Sequence, residues 1–188
     1  IGKCIRDCID LAHKMAAEDP NVYMPDQFTN FDNLRAQSEN TAKEILAQVN
    51  GPIHGFCSGI GTGGTISGIG QVLKKENPDM KIYAVEPEHA AILSGGSIGS
   101  HLQMGIGDGV VPDILDQTIY DGITIVKDEE ALTMSKRLAA EEGLLCGISA
   151  GTNVCAALKL AKELGKGKTV VTVLPDTAER YFSTPLFA

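Results

Sequence analysis

The chain has 188 residues, 43% of them hydrophobic and 21% charged, with a formal net charge of −8 and a pI near 4.9. That length carries one domain or one and a half, and it can bury a core without disulfide or metal staples. The acidic balance excludes nucleic acid as a main partner, because phosphate backbones are held by Lys/Arg patches.

Residues 1–17 place Ile1, Ile5, Cys8, Ile9, Ala12, Met15 and Ala16 on one helical face, predicting a buried amphipathic helix. Asp19-Pro20-Asn21 stops it. Val22-Tyr23-Met24 reads as a short strand, and Pro25 to Asn33 as a loop that contains Gln27 and Phe28. A helix follows over Leu34 to Val49, and Asn50-Gly51-Pro52 turns the chain. Ile53 to Cys57 is a strand, Ser58 to Gly64 a glycine-dense turn and Thr65 to Glu76 a helix, ended by Asn77-Pro78. Lys81 to Val85 is a second strand, continuously apolar over Ile82 to Val85 in the manner of a strand buried on both faces. Ser94 to Val111 is glycine-rich and aperiodic, and a stretch of that length in a compact domain is functional or disordered. Ile123 to Val126 is a strand, and Asp128 caps a helix to Glu142. Gly143 to Ile148 is a short extended segment, Thr152 to Leu164 a helix and Thr169 to Leu174 a last strand. The alternation predicts an α/β fold with a mainly parallel twisted sheet and flanking helices.

The five cysteines form no Cys-x-x-Cys pair, and no His stands at metal-ligand spacing beside them, so no metal site is expected. Cys4 and Cys8, one turn apart, read as small apolar residues of a buried helix face. Thiols without a disulfide framework suggest a cytoplasmic protein. No apolar run approaches the ~18 residues that span a membrane. No basic-then-apolar leader opens the chain, and Ile1 falls directly inside a helical pattern, which suggests that more chain precedes it.

Chemistry concentrates in Ser58-Gly59-Ile60-Gly61-Thr62-Gly63-Gly64-Thr65, between a strand and a helix. Glycines lack Cβ atoms, so backbone N–H groups can converge on an anion, and the helix start adds partial positive charge. A phosphate group is the natural ligand, with Thr62 and Thr65 as hydroxyl donors. Gly59-x-Gly61-x-x-Gly64 also fits a dinucleotide fingerprint, with Glu86 about where a ribose-binding acid would stand. A second constellation is Gly147-Ile148-Ser149-Ala150-Gly151. Ser149 reads either as the N-cap of the following helix or as a hydroxyl aimed at a ligand from a strand end.

Together, Gly61 to Thr65, Val85-Glu86-Pro87, Gly105-Ile106-Gly107, Glu142 to Leu145, Gly147 to Gly151 and Pro175 to Thr184 resemble, in order and spacing, the cysteine synthase (O-acetylserine sulfhydrylase) family. Leu144 to Gly147 leans towards its relative, cystathionine β-synthase. The resemblance covers essentially the whole chain and implies a fold-type II, tryptophan-synthase-β-like architecture. Residues 1–50 would be a remnant of a smaller mobile domain with its crossover, and residues 51–188 the large cofactor-binding domain. It implies that Gly61, Thr62, Gly63, Gly64 and Thr65 hold the phosphate of pyridoxal 5'-phosphate and that Ser149 meets the pyridine nitrogen. Gln27 and Phe28 would lie beside the substrate carboxylate, and Gly105, Ile106 and Gly107 would line the substrate entrance. The family's Schiff-base lysine and its carboxylate-gripping loop lie in the N-terminal third, and neither motif stands here. No catalytic residue is therefore expected among these residues, which correspond to roughly the C-terminal three-fifths with an incomplete N-terminal part. Ala178 stands where the family commonly has glycine, and Asp108 lies in the glycine loop.

The implied activity of the full protein is pyridoxal-phosphate-dependent β-replacement, forming L-cysteine from O-acetylserine and sulfide in a cytoplasmic homodimer. Three alternatives stay open at this point: a cystathionine β-synthase-like replacement, a non-catalytic module for a phosphate ligand, and an NAD-binding module.

Overall fold

The computed structural model describes residues 5–187. Ile1, Lys3 and Cys4 therefore lie outside the described residues. Four strands, β1 (Gly55–Gly59), β2 (Lys81–Pro87), β3 (Gly122–Val126) and β4 (Val170–Thr172), form one parallel sheet in the order β3-β2-β1-β4. Helices α1 (Ile5–Glu18), α2 (Phe31–Ala36), α3 (Ala42–Gln48), α4 (Gly64–Glu76), α5 (Asp128–Glu142) and α6 (Ile148–Leu164) complete the fold. The α/β reading with a parallel sheet holds.

Successive residues of a strand face opposite sides of the sheet, and the two central strands use this on both faces. Phe56, Ile82 and Ala84 join a core with Ile66, Ile69 and Leu73 of α4. Cys57 and Val85 join a second core with Ile148, Ala156 and Leu160 of α6 and Ala131 of α5. Helices thus cover both faces, and each large side chain buried between layers contributes roughly 1.5–3 kcal/mol. From β1 the chain crosses to β2 and β3 on one side, then returns through α5 and α6 to β4 on the other. The loops leaving β1 and β4 consequently diverge, which opens a crevice at the strands' C-terminal ends.

Several local expectations are corrected. Val22-Tyr23-Met24 is not a strand: it has no pairing partner among the described residues, and Tyr23 is exposed. α1 buries no residue; Ile5, Cys8 and Met15 are exposed, and Ile9, Ala12 and Ala16 are half-buried. The second helix begins at Phe31 rather than Leu34, because Asn30 caps it, its side chain accepting from Asp32 N at 2.9 Å. Its middle loosens into a π-helical turn over Gln37–Thr41 before α3. β1 is shifted two residues toward the glycine turn, and β4 is shorter than its apolar run. Asp128 is the first residue of α5 and not its cap; its carboxylate accepts from Leu102 N and Gln103 Nε2 instead, while Glu130 Oε2 accepts from Lys127 N. The segment before α6 makes only a single antiparallel bridge, Cys146 with Thr177. No helix of the described residues is long and apolar enough to cross a membrane.

Candidate functional site

The crevice is a cavity of about 810 Å³. All the expected site residues line it except Gly64 and Gly107. Gly61, Thr62, Gly63 and Thr65 come from the turn between β1 and α4, Ser149 from α6, Gln27 and Phe28 from the segment before α2, and Gly105 and Ile106 from the long irregular loop. Gly64 is buried against the Asn33 side chain. Gly107 lines a neighbouring cavity of about 620 Å³. Among the described residues no lysine lines the main cavity.

Two glycines shape the turn. Gly63 has φ +80°, a left-handed conformation that favours glycine, and a Cβ there would sit 2.8 Å from Leu115 Cβ. A Cβ on Gly61 would stand 2.5 Å from the carbonyl oxygen of Gly105, so the glycine turn and the long irregular loop touch backbone to backbone. Thr62 Oγ1 accepts from Asn33 Nδ2 at 2.9 Å and from Gly64 N at 3.4 Å. A hydroxyl has two acceptor lone pairs and one proton. With both lone pairs engaged by the protein, the proton of Thr62 is left to point into the cavity.

Ser149 corrects one of its two sequence readings. α6 begins at Ile148 behind Gly147, so Ser149 lies in the first turn and is not the N-cap. It is buried, lines the cavity and has no side-chain hydrogen bond within the described residues. The turn below it is held by Ser135 Oγ donating to Gly147 O at 2.9 Å and by Gly147 N donating to Asp176 O at 3.1 Å.

Sequence reasoning missed the amides that assemble the site. Asn33 Nδ2 donates both to Gln27 O and to Thr62 Oγ1, joining the segment before α2 to the glycine turn. Asn153, fully buried, accepts from Gly59 N at 2.8 Å and donates to Val173 O at 2.9 Å, tying together the diverging ends of β1 and β4. Neither belongs to a local pattern, because their partners lie far away in sequence.

Titratable groups at the cavity are few. Burial raises the Asp108 carboxyl above its ordinary range. Tyr181 donates to Asp176 Oδ2 at 2.6 Å, and its hydroxyl is pushed up to about 12 by burial, reinforced by that carboxylate. Burial also pushes the Cys57 thiol up to about 11 and raises Cys146 and Cys155. These are inert core thiols rather than nucleophiles. Glu86 is buried with both oxygens already bonded, accepting from Leu93 N, Ser94 N and Ser94 Oγ within 3.1 Å. It staples the start of the irregular loop and offers no free oxygen to a ribose, which removes the acid that a dinucleotide reading needs.

Comparison with known proteins agrees with this geometry. A curated cysteine synthase from Staphylococcus aureus (strain Mu50 / ATCC 700699) is 49% identical over 176 residues, spanning 93% of this chain and 57% of its own length. The structure of an O-acetylserine dependent cystathionine beta-synthase from Helicobacter pylori superposes with a TM-score of 0.91 at 37% identity, over 96% of this chain and 58% of that one. O-acetyl serine sulfhydrylase isoform 3 from Entamoeba histolytica gives a TM-score of 0.88 at 40% identity, over 95% of this chain and 54% of that one. The chain thus spans a little over half the length of these relatives. Residues 2–176 match the family described as pyridoxal-phosphate dependent enzyme, and the chain belongs to that family.

Proposed function

We propose that the full protein is a cysteine synthase, forming L-cysteine from O-acetylserine and sulfide with pyridoxal 5'-phosphate. One observation carries the reading: two hydroxyls face one cavity, Thr62, whose proton no protein acceptor takes, from the turn before α4, and Ser149, without a side-chain partner, from the first turn of α6. A phosphate monoester carried on a pyridine ring needs an anion cradle and a separate partner for its nitrogen, and the cavity offers both. The Cβ-free cradle at Gly61 and Gly63 fits the phosphate end.

In this reading Gly61 to Thr65 hold the phosphate through backbone N–H groups and threonine hydroxyls. Ser149 donates to the ring nitrogen, and as a neutral hydroxyl it leaves that nitrogen without a compensating negative charge. Gln27 and Phe28 bind beside the substrate carboxylate, and Gly105 to Gly107 form the wall at the entrance. Bound pyridoxal phosphate supplies the electron sink for carbanion chemistry at the amino-acid α-carbon. The lysine that would remove the α-proton belongs to the portion of the relatives that this chain does not span. Residues 1–50 belong to the smaller mobile domain and residues 51–188 to the cofactor domain of a cytoplasmic homodimer.

The high superposition on the Helicobacter pylori enzyme supports a second reading, in which the same site condenses O-acetylserine with a larger thiol to give cystathionine. The test is a visible spectrum of the full protein with pyridoxal phosphate, followed by O-acetylserine and then by each nucleophile. A cofactor band that does not move on adding O-acetylserine overturns both readings, and the product formed afterwards separates them.

A further inference from the structure

The wall made by residues 104–108 is unusual in having open space on both sides. Met104, Gly105, Ile106 and Asp108 line the main cavity and also the neighbouring one. The wall is built on left-handed glycines, with φ +86° at Gly105, +69° at Gly107 and +75° at Gly109. Ile106 is buried against Gly59 and Gly107 lies beside Pro87, so the wall's place depends on contacts made through its middle.

Gly107 carries two of these contacts. Its N–H donates to Ile60 O at 2.9 Å, and its carbonyl stands 3.1 Å from His101 Nε2. The other ring nitrogen, His101 Nδ1, accepts from Gln103 N at 3.2 Å. The two contacts fix the ring's state. A carbonyl can only accept, so Nε2 bears the proton; a backbone N–H can only donate, so Nδ1 is bare. Only the neutral Nε2–H ring satisfies both.

Behind His101 the anchor is rigid. Gln103 is fully buried; its Nε2 donates to Val126 O at 3.0 Å and to Asp128 Oδ1 at 2.8 Å, and its Oε1 accepts from Thr152 Oγ1 at 2.8 Å. Leu102 N donates to Asp128 Oδ2 at 2.8 Å. Thr152 lies one turn beyond Ser149 on α6. A relay therefore runs from the helix bearing Ser149, through Gln103 and His101, to the carbonyl of Gly107.

We infer that His101 is a positioning residue that pins the wall between the two cavities and so sets how tightly the amino-acid substrate is held. This deepens the cysteine synthase reading and rests on it. A ring at this place, with one nitrogen accepting from the anchor and the other reaching the wall, fixes the wall relative to Ser149 without touching substrate.

Two variants of the full protein separate the parts of the pin. In His101→Asn the side-chain oxygen can still accept from Gln103 N, but nothing reaches Gly107. In His101→Gln a donor is returned at the reach of Nε2. The expected result for the Asn variant is a rise of about tenfold in KM for O-acetylserine with kcat within about twofold, since a wall misplaced by about an ångström loses substrate contacts. Gln should recover most of the loss. Hydrogen exchange of residues 104–109 should quicken in the Asn variant and return toward wild type with Gln, whatever the activity. Unchanged exchange and KM in the Asn variant overturn the inference. So does a loss that appears only in kcat, or one that Gln leaves untouched. If wild type does not turn over O-acetylserine, the reaction assignment fails by itself, and the exchange pattern still decides the role of His101.

Discussion

The side-chain amide of Asn33 stands 2.9 Å from the hydroxyl of Thr62, and the same nitrogen donates to the carbonyl of Gln27 at 3.0 Å. One amide therefore holds two walls of the cavity together and leaves the Thr62 proton for a ligand. Replacing Asn33 by Ala removes two hydrogen bonds, each worth about 0.5–1.5 kcal/mol. The full protein should bind pyridoxal phosphate roughly tenfold more weakly, read by fluorescence titration. Affinity equal to wild type would show that Thr62 needs no such support.

Gly63→Ala tests the cradle. The new methyl demands a left-handed backbone and meets Leu115. Strain and crowding together should cost about 2–4 kcal/mol of stability. Thermal melting gives the loss, and cofactor retention after dialysis should fall with it.

Ser149→Ala should separate function from folding. The hydroxyl has no partner in the described protein, so the melting temperature should stay within about 2 °C. On the proposed role of Ser149 as the partner of the ring nitrogen, the visible band of the bound cofactor should shift; an unmoved band would refute that role. Ser135→Ala makes the opposite case: its buried hydroxyl donates to Gly147 O, which otherwise keeps only the longer bond from Gly151 N at 3.4 Å, and losing the shorter bond should cost about 0.5–1.5 kcal/mol.

Acid should weaken the fold through Asp116. The Thr118 hydroxyl, followed by Gln71 and Thr118 N–H, holds this carboxyl below its ordinary 3.8 against the opposing effect of partial burial. A lowered folded-state value means that the contribution is present above 3.8 and is lost as pH falls through the lowered value. Asp116→Asn should flatten the decline in melting temperature as pH falls below about 4, measured against wild type.

What the sequence disclosed and what it hid follow from the range of the interactions. The β1–α4–β2 unit was legible because its signals are local: a glycine-dense turn between an apolar strand and a helix, then a continuously buried strand. The start of α6 was not. Gly151 reads as a helix breaker, yet it lies inside α6 because a Cβ there would collide with the Ala131 carbonyl and the Ser135 side chain. It is a glycine of helix-to-helix contact, and only the position of α5 reveals that. Val22 to Met24 failed in the opposite way, since apolar residues suggest a strand only if a neighbouring strand exists. Asn33, Gln103 and Asn153 were invisible for the same reason: amides find partners dozens of residues away, which no local period records.

The early start of α6 has an electrical consequence. Aligned peptide dipoles give a helix of this length a fractional positive charge at its first turn, and Ser149 stands in that turn. A basic ring nitrogen seated against Ser149 would meet that positive field as well as the hydroxyl. The field opposes adding a proton there, so the backbone of α6 and the neutral side chain act in the same direction. A carboxylate introduced at position 149 would then have to overcome the helix before it could protonate the ring.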